Sequence, residues 1–253
     1  MVAAPLNGIL LVNKPAGPSS AGVVGRLKHA LRQGGWPLKG PGRVAIGHGG
    51  TLDPFATGLL PIGLGKGTKA LQGLLEGPKT YRFTLVFGTQ TTTADLTGTP
   101  LAHSATRPTQ AEIIAILPRF IGPQSQTPPA FSAMKVNGER AYARARKGED
   151  VVLAPRTITI YSIECEEFNT ENAIFSTTVS KGTYIRSLGE DMAKALGTVG
   201  HVGALCRTGH GPFRLEDAQP PEILDNAFKT GQIAPYIHLL PAPAGVESLN
   251  SEA

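Results

Sequence analysis

The stretch GHGGTLDPFATGLLPIGLGKGTK, residues 47–69, joins a glycine-rich loop to a short apolar run. The run from Leu59 to Leu64 has the length and composition of a buried strand, which would anchor the loop to the core. Asp53 lies in the loop and is the first acidic residue of the chain, after six lysines or arginines. A carboxylate held in such a loop is a candidate functional group.

Two common nucleotide-binding motifs do not fit this stretch. A dinucleotide-binding GxGxxG pattern that starts at Gly47 needs glycine at position 52, where Leu52 stands. A phosphate-binding P-loop needs serine or threonine directly after its lysine, but Lys66 is followed by Gly67. An ordinary turn capped by Asp53 is the simplest alternative to a functional loop.

Apolar periodicity on both sides of this stretch predicts interspersed strands and helices. The predicted strands cover 8–12, 59–64, 80–87, 156–168, 173–180 and 199–213, and the predicted helices cover 19–33, 109–120, 183–196 and 220–230. We expect Ser19 or Ser20 to cap the first helix and Thr183 the third, and 34–50 to be a surface loop. The hairpin-like links favour an α+β fold with a mixed, largely antiparallel central sheet flanked by helices and loops.

The composition argues against several classes of protein. The chain has 253 residues and a net charge of +5, which is compatible with a polyanionic partner. Its two cysteines form no CxxC pair and its six histidines lack metal-ligand spacing, so we expect no metal site. No apolar run approaches the roughly 20 residues that span a bilayer, and the N-terminus does not resemble a signal peptide. We therefore expect a cytoplasmic protein without membrane contact.

Several motifs in order resemble those of the tRNA pseudouridine-55 synthases, the TruB family. Besides residues 47–69, they are NKPAGPSS at 13–20, KTYRFTLVFGTQTTTADLTG at 79–98, QTPPAFSAMKVNGERAYARARKGEDV at 126–151, SKGTYIRSLGEDMAKALG at 180–197 and HVGALCRTGHGPF at 201–213. The resemblance covers residues 8–241. It implies the pseudouridine-synthase fold, with a catalytic domain at 1–240 that contains an RNA-gripping insertion at about 126–152.

The resemblance also implies an activity. It makes the chain an isomerase that converts uridine to pseudouridine at position 55 in the T-loop of tRNA, without a cofactor. We expect tRNA as the partner, no small-molecule cofactor, and a monomer. The small, polar residues 241–253 are expected to form a disordered tail. A C-terminal domain of the PUA type, which many relatives carry, would then be absent or truncated.

The matched motifs imply roles for particular residues of the active site. Asp53 matches the essential aspartate, and whether it attacks the base, attacks the sugar or acts as a base stays open. Arg186 would pair with Asp53 and keep it ionised against the cost of burial. Tyr81 would stack on the target base, and its hydroxyl could relay a proton. Leu205 would form the apolar side of the pocket, with Tyr184 nearby.

Other matched residues are expected to contact RNA. His48 would occupy the space of the flipped nucleotide, while Asp95 and Lys14 would lie near the bound RNA. The insertion contributes a basic patch that we expect to contact phosphates: Lys135, Arg140, Arg144, Arg146 and Lys147. A solvated charged helix is the alternative, since Glu149 and Asp150 follow. The glycines near Asp53 would leave room for the extruded nucleotide.

Two other functions are compatible with parts of the sequence. An RNA-binding protein or RNA chaperone could keep the fold without catalysis. An RNA methyltransferase could use the Cys206 thiolate as a nucleophile, although no convincing methyl-donor loop is present and a buried thiol is more common. The chain also departs from many relatives at Gly49 and Thr92, where larger or acidic residues are frequent.

Overall fold

The structure is a computed structural model that describes residues 6–132, 134–136, 138–141, 144, 147, 149 and 153–238. Its centre is a sheet of ten strands. The strands of the chain, in sequence order, are β1 (Gly8–Lys14), β2 (Ile46–His48), β3 (Thr57–Leu64), β4 (Lys79–Phe87), β5 (Thr89–Thr91), β6 (Pro100–His103), β7 (Gly122–Gln126), β8 (Lys135–Val136), β9 (Glu139–Arg140), β10 (Arg156–Phe168), β11 (Asn172–Val179), β12 (Gly200–His210), β13 (Phe213–Arg214) and β14 (Ile237–His238).

The order across the central sheet is β14-β1-β3-β12-β4-β11-β10-β7, with β2 beside β3 and β13 beside β12. The described pairs are antiparallel except for β3 with β12, which run parallel. The predicted mixed, largely antiparallel sheet of an α+β fold is therefore confirmed. The pairs β5–β6 and β8–β9 form separate small hairpins.

Five described helices accompany the sheet: α1 (Ser20–Gln33), α2 (Gly67–Leu75), α3 (Gln110–Ile116), α4 (Ile185–Ala195) and α5 (Pro221–Lys229). The Ser19 side chain accepts a hydrogen bond from the Gly22 amide, so the predicted cap of α1 is confirmed. Val23, Leu27 and Leu31 lie on the buried face of α1, because residues spaced by three or four share one side of a helix. Within the residues listed above, no helix is long and apolar enough to cross a membrane.

Strand β3 is a central strand, which explains its continuous apolar sequence. It pairs with β1 on one side and with β12 on the other, and it is buried from Gly58 to Leu64. Gly58 has a φ of +100°, and a side chain there would place its Cβ 2.4 Å from the carbonyl oxygen of Arg207. Glycine is therefore required where β12 crosses close to β3.

Several local expectations are wrong. Ile46–His48 form β2, although 34–50 was expected to be a loop, because pairing with β3 overrides the glycine-rich composition. Helix α2 was not predicted, since it begins in a run of glycines. Thr183 does not cap α4: Tyr184 occupies the N-cap position without a side-chain hydrogen bond. Instead, the Gln126 side chain accepts from the Tyr184 amide at 2.8 Å.

Only part of the insertion is described. The β8–β9 hairpin turns at Gly138, whose φ is +87°. The backbone of Lys135 and Arg140 lies in these strands, but their side chains, like Arg146 and the predicted tail at 241–253, lie outside the described residues.

Candidate active site

Asp53 lies between two neighbouring cavities. One, of about 300 Å³, is lined by Tyr81, Tyr184 and Leu205, and the other, of about 530 Å³, by His48 and Asp95 among others. Asp53 and Arg186 line both cavities. The structure thus brings the candidate active-site residues together from five separate segments of the chain.

Arg186 holds the site together from the first turn of α4. Its Nε donates to Asp53 Oδ2 at 2.9 Å, so the expected ion pair is present. Nη1 donates to the Thr93 carbonyl and Nη2 to the Phe131 carbonyl, each at 2.8 Å. The side chain is only 3 % exposed. Because every guanidinium nitrogen has an acceptor, the ion pair also fixes the loops that carry these carbonyls.

The Asp53 carboxylate is partly open to the cavities, with a side-chain exposure of 33 %. Burial of the remainder raises the pKa of Asp53 above its ordinary value. Arg186 opposes this shift most strongly, Asp95 adds to it, and Lys14 opposes it. The net shift of the Asp53 pKa is therefore upward, although Arg186 counteracts it.

Lys14 requires a correction, because its side chain is fully buried and cannot reach RNA phosphates. Its Nζ donates to the carbonyls of Pro15 at 2.8 Å, Pro54 at 3.1 Å and Ala56 at 2.6 Å. Two of these carbonyls belong to the loop that carries Asp53. Lys14 at the end of β1 is therefore a positioning residue for that loop.

Ser20 holds the same loop from the first residue of α1. Its Oγ accepts from the Leu52 amide at 2.8 Å and donates to the Leu52 carbonyl at 3.0 Å. The Gly17 amide donates to the Pro54 carbonyl at 2.8 Å. The segment 13–20 therefore clamps the residues on both sides of Asp53. Sequence reasoning missed this role, although a serine that is not needed as the helix cap was a signal for it.

The wall of the smaller cavity comes from β4 and β12. Tyr81 is 8 % exposed and Leu205 is 7 % exposed, and Arg207 stands opposite Tyr81 in the strand register. The Arg156 guanidinium lies over the Tyr184 ring, 4.8 Å from its centroid. Sequence reasoning missed Arg156 and Arg207; for Arg207, the alternation with Leu205 on one face of a strand was the available signal.

Asp95 lines the larger cavity, but its side chain is only 6 % exposed and its carboxylate bonds to the protein itself. Its Oδ1 accepts from Thr93 Oγ1 at 2.7 Å, from the Thr97 amide at 2.9 Å and from Thr97 Oγ1 at 2.6 Å. Its Oδ2 lies 3.7 Å from Arg186 Nε. Asp95 therefore shapes the loop beside the larger cavity and acts on Arg186.

The three glycines before Asp53 have different surroundings. A Cβ on Gly49 would lie 2.8 Å from the Leu71 side chain, whereas Gly47 faces open space. Gly50 lines the smaller cavity and has a φ of +86°. The expected clearance for RNA is therefore restricted to part of this run.

The basic patch of the insertion is visible only in part. Arg144 donates to Glu149 at 2.6 Å, which neutralises part of its charge, and Lys147 is exposed. Contact between this basic patch and RNA stays a prediction. Cys206 lines neither of the two cavities, so the structure does not support its use as a nucleophile. In the described ranges, no group of three His, Cys, Asp or Glu side chains could hold a metal ion.

Residues 41–185 match the family model of the TruB family pseudouridylate synthase, N-terminal domain. Three similar relatives are proteins named tRNA pseudouridine synthase B. The one from Zymomonas mobilis is 41 % identical over 96 % of this chain and 78 % of the relative. The one from Novosphingobium aromaticivorans is 44 % identical over 95 % of this chain and 79 % of the relative. The one from Rickettsia akari is 47 % identical over 87 % of this chain and 73 % of the relative.

Solved structures show the same fold. A Cbf5–Nop10–Gar1 complex contains a chain with a TM-score of 0.66 and 30 % identity, covering 87 % of this chain and 54 % of that one. A chain of an H/ACA RNP bound to a substrate RNA containing 2′-deoxyuridine has a TM-score of 0.64 and 27 % identity. The match covers 90 % of this chain and 55 % of that one. This chain thus spans just over half of those longer chains. Together with the family match, these similarities show that the chain belongs to the TruB family of pseudouridylate synthases.

Proposed function

We propose that this protein converts uridine to pseudouridine in tRNA and that its target is the T-loop uridine at position 55. The observation that carries the proposal is the Asp53–Arg186 ion pair at the junction of two cavities. Family membership and the names of the relatives support tRNA as the substrate. The T-loop position follows from the resemblance of the motifs.

The reaction needs few groups. The bond between ribose C1′ and uracil N1 breaks, and a bond between C1′ and C5 forms. C5 loses a proton while N1 gains one, so the product is an isomer of the substrate. One oxygen nucleophile or base at the junction of sugar and base is sufficient. Asp53 meets this requirement, because its carboxylate is accessible from both cavities.

The smaller cavity suits a uracil base. The Tyr81 ring offers a flat apolar surface for stacking, and Leu205 lies on the neighbouring strand. The Tyr81 hydroxyl is a candidate for moving the C5 proton. Arg186 would hold Asp53 beside the sugar, because three hydrogen bonds to the protein fix the position of its guanidinium.

The target uridine must leave the folded T-loop to reach Asp53. We propose that His48 and the larger cavity receive the neighbouring part of the loop, and that the basic insertion contacts its phosphates. A monomer is sufficient for this arrangement, since the described site residues all come from one chain.

The test is to incubate the protein with an unmodified tRNA transcript and map pseudouridine by carbodiimide treatment and primer extension. We expect product at the T-loop uridine for the wild type without a cofactor. Asp53→Asn should abolish product while tRNA binding survives, and Asp217→Asn, which changes an exposed aspartate outside both cavities, should be fully active. Near-normal product from Asp53→Asn would refute the role of Asp53. Binding without product in the wild type would favour an RNA-binding protein.

A further inference from the structure

The smaller cavity carries more positive charge than an uncharged base requires. Of its described lining residues, five are basic and one, Asp53, is acidic. Uracil and ribose are neutral, so neither offers a negative charge to the excess of basic residues in the lining. Like charges that crowd an enclosed space are unfavourable unless an anion joins them.

Two of the five basic residues are committed to the protein. Arg186 has an acceptor for each of its guanidinium nitrogens. Arg207 is 1 % exposed and donates to the Leu59 carbonyl at 2.7 Å, which ties β12 to β3. The remaining three basic residues of the lining are Lys79, Arg156 and Lys181. The Lys79 Nζ donates to the Gly77 carbonyl at 2.8 Å, and Lys181 forms an ion pair with Glu76, a carboxylate outside the lining that offsets part of this positive charge.

Arg156 has a buried donor that no described group accepts. Its Nη2 donates to the Gly182 carbonyl, and its guanidinium stacks over Tyr184. Its Nε is shielded from solvent and finds no acceptor among the described residues. Buried donors in native proteins are nearly always satisfied, so a ligand that supplies an oxygen is the natural explanation.

Lys79 and Lys181 bring two further cations to the same cavity. Lys79 is 7 % exposed and lies two residues from Tyr81 on one face of β4, a separation of about 7 Å along the strand. Burial lowers the pKa of Lys79 to about 8; repulsion from Arg207 and Lys181 adds to this shift, and attraction to Glu76 opposes it. The cations are therefore close enough for their charges to repel one another. They lie beside the surface proposed to hold the base.

We infer that Lys79, Arg156 and Lys181 form a phosphate site that binds a phosphate flanking the flipped uridine, while Tyr81 and Leu205 hold its base. This inference rests on the proposed function and adds to it the recognition of a nucleotide rather than a nucleoside. An arginine fork and two ammonium groups match the oxygens of a phosphate. The site would fix the ribose, and hence C1′, relative to Asp53.

The test uses small competitors of tRNA binding: uridine, uridine 5′-monophosphate, uridine 3′-monophosphate and inorganic phosphate. For the wild type, we expect one monophosphate to bind roughly tenfold more tightly than uridine, because charge-assisted hydrogen bonds are strong. The better of the two monophosphates identifies the bound phosphate. Equal binding of uridine and both monophosphates would overturn the inference, as would inorganic phosphate that competes as well as either nucleotide.

Arg156→Met and Lys181→Met should each reduce the preference for the monophosphate severalfold and lower the salt dependence of tRNA binding by about 0.7 to 0.9 in log–log slope. Lys181 is largely exposed, so its replacement should not prevent folding. Lys229→Met removes an exposed charge outside both cavities and should change neither quantity. An unchanged preference in both cavity variants would refute the site. Pseudouridine formation is measured separately, so failure of the proposed function is distinguished from failure of the phosphate site.

Discussion

Arg186 lies between two carboxylates, with its Nε 2.9 Å from Asp53 Oδ2 and 3.7 Å from Asp95 Oδ2. The Asp53 side chain is 33 % exposed and that of Asp95 only 6 %. The buried Arg186 guanidinium thus interacts with two carboxylates. Asp53 faces the cavities, whereas Asp95 is enclosed by its own loop. The two neighbours act on Asp53 in opposite directions, since Arg186 lowers its pKa and Asp95 raises it.

Removal of Arg186 should shift the pH dependence of activity upward. Burial already raises the pKa of Asp53, and activity should fall as the pH drops through that value if the ionised form is required. Arg186→Met removes the strongest interaction that lowers this pKa, so the acid limb should move to higher pH. Single-turnover rates of pseudouridine formation across the pH range would measure the shift.

Asp95→Asn should produce the opposite shift. The amide keeps the size of the side chain and can still accept from Thr97, but it removes the negative charge that raises the pKa of Asp53. The acid limb should therefore move to lower pH in the same assay. Asp217→Asn is the matched control, with no expected shift. Movement of the Asp95→Asn limb to higher pH would show that the variant acts through misplacement of Arg186 and not through charge.

Lys14→Met should reduce stability without a change in the electrostatics of tRNA binding. The substitution removes three hydrogen bonds to carbonyls, of which that of Pro54 keeps its bond from the Gly17 amide. The loss should lower the free energy of unfolding by about 3 kcal/mol. Urea unfolding would measure the loss, with exposed Lys66→Met as the control. The salt dependence of tRNA binding should be unchanged, because Lys14 is buried. A decrease of about 0.9 in the slope of the logarithm of the binding constant against the logarithm of salt concentration would instead show that Lys14 contacts a phosphate.

Two variants separate the proposed roles of Tyr81. Tyr81→Phe keeps the stacking surface and removes the hydroxyl, so kcat should fall while KM is nearly unchanged if the hydroxyl moves the C5 proton. Tyr81→Ala also removes the ring and should weaken binding of the target loop roughly 10- to 100-fold. Steady-state kinetics with a tRNA transcript would resolve the two effects. Normal kcat for Tyr81→Phe would leave the ring as the only functional part.

Gly58→Ala should destabilise the junction of β3 and β12. A side chain there would have a φ of +100° and a Cβ 2.4 Å from the Arg207 carbonyl oxygen. The strain should lower the free energy of unfolding by about 3 kcal/mol. Gly47→Ala is the control, because its Cβ would face open space and its effect should stay within about 1 kcal/mol. Similar unfolding curves for the two variants would contradict the requirement for glycine at position 58.

Much of the fold could be predicted because it follows from local patterns. The apolar run of β3 and the spacing of Val23, Leu27 and Leu31 in α1 reflect the two periods of side chains in strands and helices. The prediction failed where pairing decided the outcome. Ile46–His48 became a strand because they pair with Ile62–Leu64 of β3. Tyr184 rather than Thr183 stands at the N-cap of α4, and its amide donates to the Gln126 side chain.

By itself, the sequence determined the class of fold, the family and the identity of the central carboxylate, because ordered motifs and local periodicity survive in one dimension. Only the tertiary structure decided that Lys14 and Asp95 are buried and that Arg156 and Lys79 share a cavity with Tyr81. Burial and the distance between charges depend on segments far apart in the chain; Arg186 and Asp53 are separated by 133 residues. Composition alone does not encode whether a basic side chain meets water, a carbonyl or a ligand.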